Sequence, residues 1–264
     1  MTYSMTKEET VMSNTARTTA RKRVPMTSSR KTAMTAGIFY LITFISIPTL
    51  ALYGHIKTDK TWITSAGSST AVLWGAFSEV IVALAGIGTA VALYPVMKRQ
   101  NEGKALGFVT VRTLEASMIF VGVLSLLSLV HLRTAAPGTA SDSLITTGAM
   151  LVSTYKGTML LGQTLMPCLS AILLGTLMYR SRLVPRAIPM IGLIGAPFLI
   201  ASSIAVFFGV IPQLSPFAAL ATMPIAAWEL SLGLWLTFKG FKPSPLLNDV
   251  VPASVAPTYS GASA

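Results

Sequence analysis

Charged residues are scarce in this chain. Asp, Glu, Lys and Arg make up 11% of the 264 residues, whereas hydrophobic residues make up 52%. A soluble domain usually carries about 25% charged residues. The scarcity of charge, together with several long apolar runs, excludes an ordinary soluble fold and indicates a membrane protein. We therefore expect an all-α, polytopic bundle of transmembrane helices.

Cysteine and histidine are almost missing as well. Cys168 is the single cysteine, and the two histidines are His55 and His131. One cysteine cannot form an intramolecular disulfide, and so few ligating side chains cannot build a zinc or haem site of the usual kind. We expect neither a metal nor a cofactor.

The motifs of several enzyme classes are also missing. The sequence contains no His-Glu-x-x-His, no Gly-x-Ser-x-Gly, no Walker A loop and no glycine-rich dinucleotide fingerprint. These absences give no support to a catalytic function. We therefore rank a membrane enzyme third, after a carrier and a non-catalytic membrane component.

Acidic residues are fewer than basic ones. The chain has 9 Asp and Glu against 20 Lys and Arg, a net charge of +11. A basic balance can indicate nucleic acid, but here the basic residues lie at the ends of apolar segments. Membrane topology and anionic lipid headgroups explain that arrangement without a nucleic-acid partner. We expect Arg180, Arg182 and Arg186, in one short turn, to contact such headgroups.

Six apolar runs are each near the ~20 residues that a ~30 Å hydrocarbon core requires. The predicted spans are 32–53, 71–97, 105–130, 153–179, 187–210 and 217–238. A polar, basic N-terminal extension (1–31) and a Pro-, Ser- and Ala-rich C-terminal tail (240–264) are predicted to be disordered. The longest loop is predicted over 131–152, and Pro48 is predicted to kink the outer end of the first span.

Basic residues are distributed unequally between the two sides of the predicted membrane domain. With the N-terminus inside, 15 of the 20 lysines and arginines fall in inner segments and 4 in outer ones. Such a bias predicts that both termini are cytoplasmic.

Apart from Lys156, which is near the outer surface, four charged residues fall inside predicted spans, which is a costly position for a charge. At ~1.5 Å per residue, Glu115 and Glu229 lie about 15 Å from the cytoplasmic edge, near the midplane. Arg112 precedes Glu115 by one helical turn and can pair with it. We predict one buried cluster of Arg112, Glu115 and Glu229.

Glu79 lies in the outer leaflet, where Lys156 or His131 could pair with it or its side chain could reach water.

Two functional interpretations of the cluster stay open. One cation for two carboxylates leaves an acid that can gain and lose a proton, as a small carrier or an ion- or proton-coupled transporter requires. Alternatively, the cluster only fixes helix packing in a non-catalytic membrane component or sensor.

Pro167 frees the carbonyl of Gln163, and a kink there could line a cavity.

Four separated stretches carry a resemblance to a known family. They are residues 88–102, Ala105-Leu-Gly with Arg112-Thr-Leu-Glu115, Ser181–Arg186, and Trp228-Glu229 followed by 235–243. Together they resemble an uncharacterised family of bacterial six-helix membrane proteins, domain of unknown function 4386, from about Arg30 to Pro243. The resemblance implies a single membrane domain in a bacterial plasma (inner) membrane. It places Arg112, Glu115 and Glu229 at polar motif positions, and it supplies no activity and no catalytic residues.

Overall fold

A computed structural model describes residues 27–45, 47, 52–59, 61–65, 67–135 and 141–250. Every regular element in these ranges is helical. The six main helices are α1 (Ser28–Thr43), α2 (Thr70–Met97), α3 (Glu102–Ala135), α4 (Asp142–Ser181), α5 (Ala187–Phe207) and α6 (Pro216–Phe238). Short 3₁₀ turns cover Gly54–Lys57, Trp62–Thr64 and Pro245–Val250.

Hydroxyl side chains fix where three of the helices begin. Thr27, Ser141 and Ser215 each accept a hydrogen bond from the backbone N–H three residues ahead, which satisfies one of the free donors of the first turn. Pro216 then starts α6 at a position where no intrahelical donor is needed.

Five helices, α2 to α6, are long and apolar enough to cross a membrane among the residues described. Their outward surfaces carry large apolar side chains such as Phe198, Phe217 and Leu220, each more than 60% exposed. Small residues, by contrast, line the contacts between helices. This inside-out distribution is typical of a bundle whose outer surface faces lipid.

The helices form a closed ring. Each packs against its neighbours in the chain, and α6 packs against α1. The α1–α6 contact is close because Gly37 has no side chain: a Cβ atom there would overlap Thr237. Gly192 of α5 likewise leaves room for the Trp228 ring of α6. The two sides of the ring are named here by their connections: the turn side bears the α2–α3 and α4–α5 turns, and the loop side bears the other connections.

Helix α4 begins at Asp142, so the prediction of a loop over 131–152 with a helix starting at Ser153 is wrong. Helix α3 also continues to Ala135, beyond the predicted end at residue 130. The threonines that suggested a loop are satisfied within α4, because Thr146 and Thr147 donate to backbone carbonyls four residues earlier at 2.8 Å. Residues 136–140 lie outside the described ranges.

The predicted ends of the membrane domain also need correction. Helix α1 starts at Ser28, within the extension predicted to be disordered, and ends at Thr43 instead of residue 53. Pro48, the predicted kink, lies outside the described residues. Residues 240–247 are packed instead of forming an unpacked tail: the Lys242 N–H donates to the Leu183 carbonyl at 2.7 Å, and Leu247 contacts the core. Residues 1–26 and 251–264 of the two predicted disordered segments lie outside the described residues.

Candidate functional site

The three charged residues predicted to cluster do meet, at the centre of the ring. Arg112 and Glu115 lie one turn apart on α3, and Arg112 NH1 is 2.7 Å from Glu115 Oε2. Helix α6 brings Glu229 Oε1 to 3.5 Å from the same guanidinium nitrogen. One cation therefore contacts two carboxylates from two helices that are far apart in the sequence.

A tyrosine that the sequence did not single out completes this cluster. The Arg112 guanidinium lies 5.4 Å from the centre of the Tyr40 ring on α1. Such a cation–π contact contributes about 2 kcal/mol when it is shielded from water. Nothing in the spacing around Tyr40 marks it, because a single aromatic residue in an apolar helix is usually only part of the packing.

Burial differs between the cation and its carboxylates. Arg112 is 2% exposed, whereas the side chains of Glu115 and Glu229 are 12% and 18% exposed. Arg112 Nε and NH2 have no hydrogen-bond partner among the residues described. The Nε edge faces α2 at Gly86, where an added Cβ would be 4.0 Å away. The carboxylates are thus the accessible part of the cluster.

A partly open cavity of about 170 Å³ reaches both carboxylates and is also lined by Arg112. Its other walls come from α1, α2, α4 and α6 and include Thr43, Val82, Gln163, Pro167 and Ala226. Five of the six helices therefore contribute to one central space that holds three charges and one amide.

The wall formed by α4 is irregular. Residues Met159–Leu165 form a π-helical turn, and the α-helix resumes at Met166 with Pro167 in its first turn. The Thr164 hydroxyl donates to the Met159 carbonyl five residues back at 3.3 Å. Pro167 has no N–H, so α4 cannot keep a regular hydrogen-bond ladder there. π-Helical turns of this kind recur at functional sites, and this one places Gln163 on the cavity.

Glu79 belongs to a second buried cluster, on the loop side. It is 1% exposed and accepts hydrogen bonds from the hydroxyls of Tyr53 and Tyr155, the latter at 2.6 Å. In the described part of the chain it forms no ion pair with Lys156 or His131, the two partners proposed from the sequence. The tyrosines were missed because they come from different segments, the α1–α2 connection and α4.

Lys156 lines a different cavity from Gln163. That cavity, of about 150 Å³, also contacts Lys57 on the loop side. The Lys156 backbone carbonyl accepts a hydrogen bond from the Gln213 side chain at 3.1 Å, which ties α4 to the α5–α6 connection. Lys156 is therefore no part of the Arg112 cluster.

The three arginines of the α4–α5 turn lie together on the turn side. Arg182 ends α4 in the left-handed conformation, with φ 55°. The Arg186 guanidinium lies 4.9 Å from the centre of the Tyr179 ring. These contacts hold the turn against the end of α4.

Metal-ligating side chains do not converge in the described ranges, since no three His, Cys, Asp or Glu residues come together there. Cys168 is buried, and its thiol donates to the Thr164 carbonyl at 3.2 Å.

Comparison with known proteins identifies a family. No curated protein and no solved structure gives a significant match to the chain. Residues 35–240, which include all three members of the central cluster as well as Lys57 and Lys156, match the family described as Domain of unknown function (DUF4386). The match covers more than half of the chain, and the chain therefore belongs to this family of helical, membrane-like proteins.

Proposed function

We propose that the chain is a small membrane carrier whose coupling site is the cluster of Arg112, Glu115 and Glu229. The ion that the site exchanges is a proton or a small monovalent cation. The observation that supports this most strongly is the difference in exposure: Arg112 is 2% exposed, while the two carboxylates that line a partly open cavity with it are 12% and 18% exposed.

The charge balance of the cluster favours a cationic ligand. With both carboxylates ionised, two negative charges face one positive charge. A single proton or monovalent cation makes the cluster neutral. Because an uncompensated charge in the middle of a bilayer costs about 2.5–3.5 kcal/mol on insertion scales, the neutral and charged forms favour different surroundings. Carriers use this difference to couple ion binding to a change in conformation.

The surroundings of the cluster also suit a binding site. Gln163 offers an uncharged donor and acceptor to the cavity. The π-helical turn beside it has a weaker hydrogen-bond ladder than the rest of α4, so this wall can change shape at a lower cost than a regular helix.

A packing role is the second candidate, and one observation favours it. The 2.7 Å Arg112–Glu115 pair and the Tyr40 contact are what a structural ion pair would show. On this interpretation the chain is a non-catalytic membrane component, and the cluster only fixes the register of α3 and α6.

The proposal includes a topology. We infer that α1 is the sixth span, since it occupies a full place in the ring between α2 and α6. Both termini and the turn side are cytoplasmic, by the bias of basic residues, and the membrane is a bacterial plasma membrane. Arg180, Arg182 and Arg186 then lie at the level of anionic headgroups.

Charge displacement on ion binding tests the carrier proposal. Proteoliposomes containing the purified chain are adsorbed on a solid-supported electrode and exposed to a rapid change of pH, and separately to Na⁺ and K⁺. A proton or cation that enters the cavity moves charge into the membrane and gives a transient current.

We expect the current with wild type and with Glu102→Gln, an exposed carboxylate at the start of α3. We expect it to be lost with Glu229→Gln. An unchanged current in Glu229→Gln, or no current with any of the three ions in wild type, would contradict the proposal and favour the packing role.

A further inference from the structure

Two lysines on the loop side share adjoining cavities that the proposed coupling site does not use. Lys57, Thr58 and Lys156 line both a cavity of about 150 Å³ and another of about 300 Å³. Lys57 comes from the connection between α1 and α2, and Lys156 comes from α4. The two ammonium groups thus approach one space from separate segments of the chain.

Lys57 is buried to a degree that is unusual for a lysine. It is 5% exposed, and its Nζ lies 5.4 and 5.1 Å from the ring centres of Tyr53 and Tyr155. Its one hydrogen bond among the residues described is to the Met159 sulfur at 3.3 Å, a weak acceptor. Lysine is almost never so buried without a charged partner.

The carboxylates near Lys57 leave its charge unpaired among the residues described. Glu79 lies behind the two tyrosine hydroxyls and attracts Lys57, while Lys156 repels it. Neither lysine forms an ion pair in the described part of the chain. Asp59 also lines the smaller cavity, but it is exposed, and its Oδ1 accepts hydrogen bonds from the Thr61 backbone and hydroxyl at 2.9 and 2.7 Å. Of the two carboxylates near the lysines, Glu79 is thus buried behind the tyrosines, and Asp59 is exposed and bound to Thr61.

We propose that Lys57 and Lys156 form a second binding site, for a phosphate group. Two ammonium groups offer six N–H donors, and a phosphate offers several acceptor oxygens with one to two negative charges. Charge-assisted bonds of this kind are among the stronger hydrogen bonds in proteins. The group is either the headgroup phosphate of an anionic lipid or free inorganic phosphate, because both present negatively charged oxygens to the lysines. Basic pockets between membrane helices bind lipid headgroups in other proteins.

The experiment has two arms, one for each source of phosphate. In the first, radiolabelled inorganic phosphate is titrated into the full chain in a neutral detergent at constant ionic strength. In the second, the chain is incorporated into vesicles of equal parts phosphatidylglycerol and phosphatidylcholine, extracted gently, and weighed by native mass spectrometry to count the retained phosphatidylglycerol. Wild type is compared with Lys57→Met, which keeps the apolar stem, with Lys156→Gln, and with Lys239→Gln, which removes one exposed charge on the turn side.

We expect saturable binding in one arm at least. Lys57→Met and Lys156→Gln should each weaken it roughly tenfold or more, while Lys239→Gln leaves it unchanged. Lys156→Arg, which keeps the charge, should retain most of it and shows that a loss in Lys156→Gln is no folding defect. Binding in the first arm identifies a soluble ligand, and binding only in the second identifies a lipid.

Three results would overturn the site. They are no saturable binding of wild type in either arm, equal binding by wild type and both site variants, or an equal loss in Lys239→Gln. The last result would mean that total charge, and not this pair of lysines, attracts phosphate. The coupling-site proposal is independent, since none of these variants touches Arg112 or its carboxylates.

Discussion

At the scale of single residues, Arg112 is the member of the central cluster whose buried charge most needs its partners. Its guanidinium is sealed between α2, the Tyr40 ring and two carboxylates. A buried charge that loses its partner is far more costly than a pair that is absent altogether. This asymmetry gives a test of whether the three residues act as one unit.

We predict that Arg112→Leu is more harmful than Arg112→Leu combined with Glu115→Leu. The single change leaves two carboxylates without a cation and should cost about 3–5 kcal/mol of stability. The double change leaves one carboxyl, which can be protonated, and should recover a large part of that loss. Thermal unfolding in detergent for both singles and the double measures the difference, and strictly additive losses would show that the residues do not interact.

Lys57 gives a prediction about pH. It lies in the α1–α2 connection, outside the five candidate spans, and burial lowers its pKa to about 8. Glu79 opposes that shift, while Lys156 adds to it. Lys57 is therefore charged below about pH 8 and loses its proton as the pH rises through that value.

Phosphate binding on the loop side should consequently weaken as the pH is raised from about 7 to 9. The measurement is the ratio of wild-type to Lys57→Met affinity at each pH, because the titration of phosphate itself is common to both proteins. A ratio that is constant over this interval would show that Lys57 does not titrate there or does not contact the ligand.

At the scale of elements, the irregular turn of α4 depends on its contact with α3. A Cβ added to Gly162 would lie 2.6 Å from Met118 Cβ and 3.4 Å from the Glu115 carbonyl. Glycine is therefore required there for the two helices to approach beside the cluster. Gly157, one turn earlier in α4, is exposed and has nothing within 4 Å of such an atom.

Gly162→Ala should destabilise the protein by about 1–3 kcal/mol, since the extra methyl group must push α4 away from α3. Gly157→Ala is the matched control and should be neutral or stabilising by up to about 1 kcal/mol, because alanine is the better helix former. Thermal unfolding of both variants checks this, and equal effects would mean that the close approach is not important for folding.

The helices show which features of this fold can be predicted from the sequence. Apolar runs of sufficient length predict α2, α5 and α6 closely, because in a membrane the backbone must satisfy its own hydrogen bonds. The start of α4 was missed because serine and threonine indicate a loop in water, yet their hydroxyls bond within the helix here. The clustering of Arg112, Glu115 and Glu229 was predicted because the sequence gives them similar depths in the membrane. Tyr40 and the tyrosines at Glu79 could not be predicted, since their positions depend on how the helices are rotated and paired.

At the scale of the whole molecule, the ring has two differently charged sides and two polar sites at different depths. The coupling site lies at the centre of the ring, and the paired lysines lie on the loop side. If the turn side is cytoplasmic, the phosphate site is outside the cell. Orientation therefore decides which compartment supplies each ligand.

Cysteine labelling tests this orientation. Because Cys168 is buried, it gives little background with an impermeant thiol reagent. A cysteine at Ser141, the first described residue before α4, should react in intact cells, whereas one at Asn101 in the α2–α3 turn should react only after the membrane is opened. The reverse pattern would invert the topology and, with it, the side assigned to each site.

Infrared spectroscopy of the carboxyl groups is the sharpest test of ion exchange at Glu115 and Glu229. We predict that wild type in lipid shows the C=O stretching band of a protonated, buried carboxylic acid, and that this band disappears on going from about pH 4 to pH 9, the interval in which protein carboxyl groups titrate. The titrating band should be absent from Glu115→Gln combined with Glu229→Gln, and it should persist in Glu79→Gln, which removes the other carboxyl group that is buried among the residues described. A titrating band that survives the double change, or a wild-type protein without one, would contradict a proton-exchanging cluster at the centre of the ring.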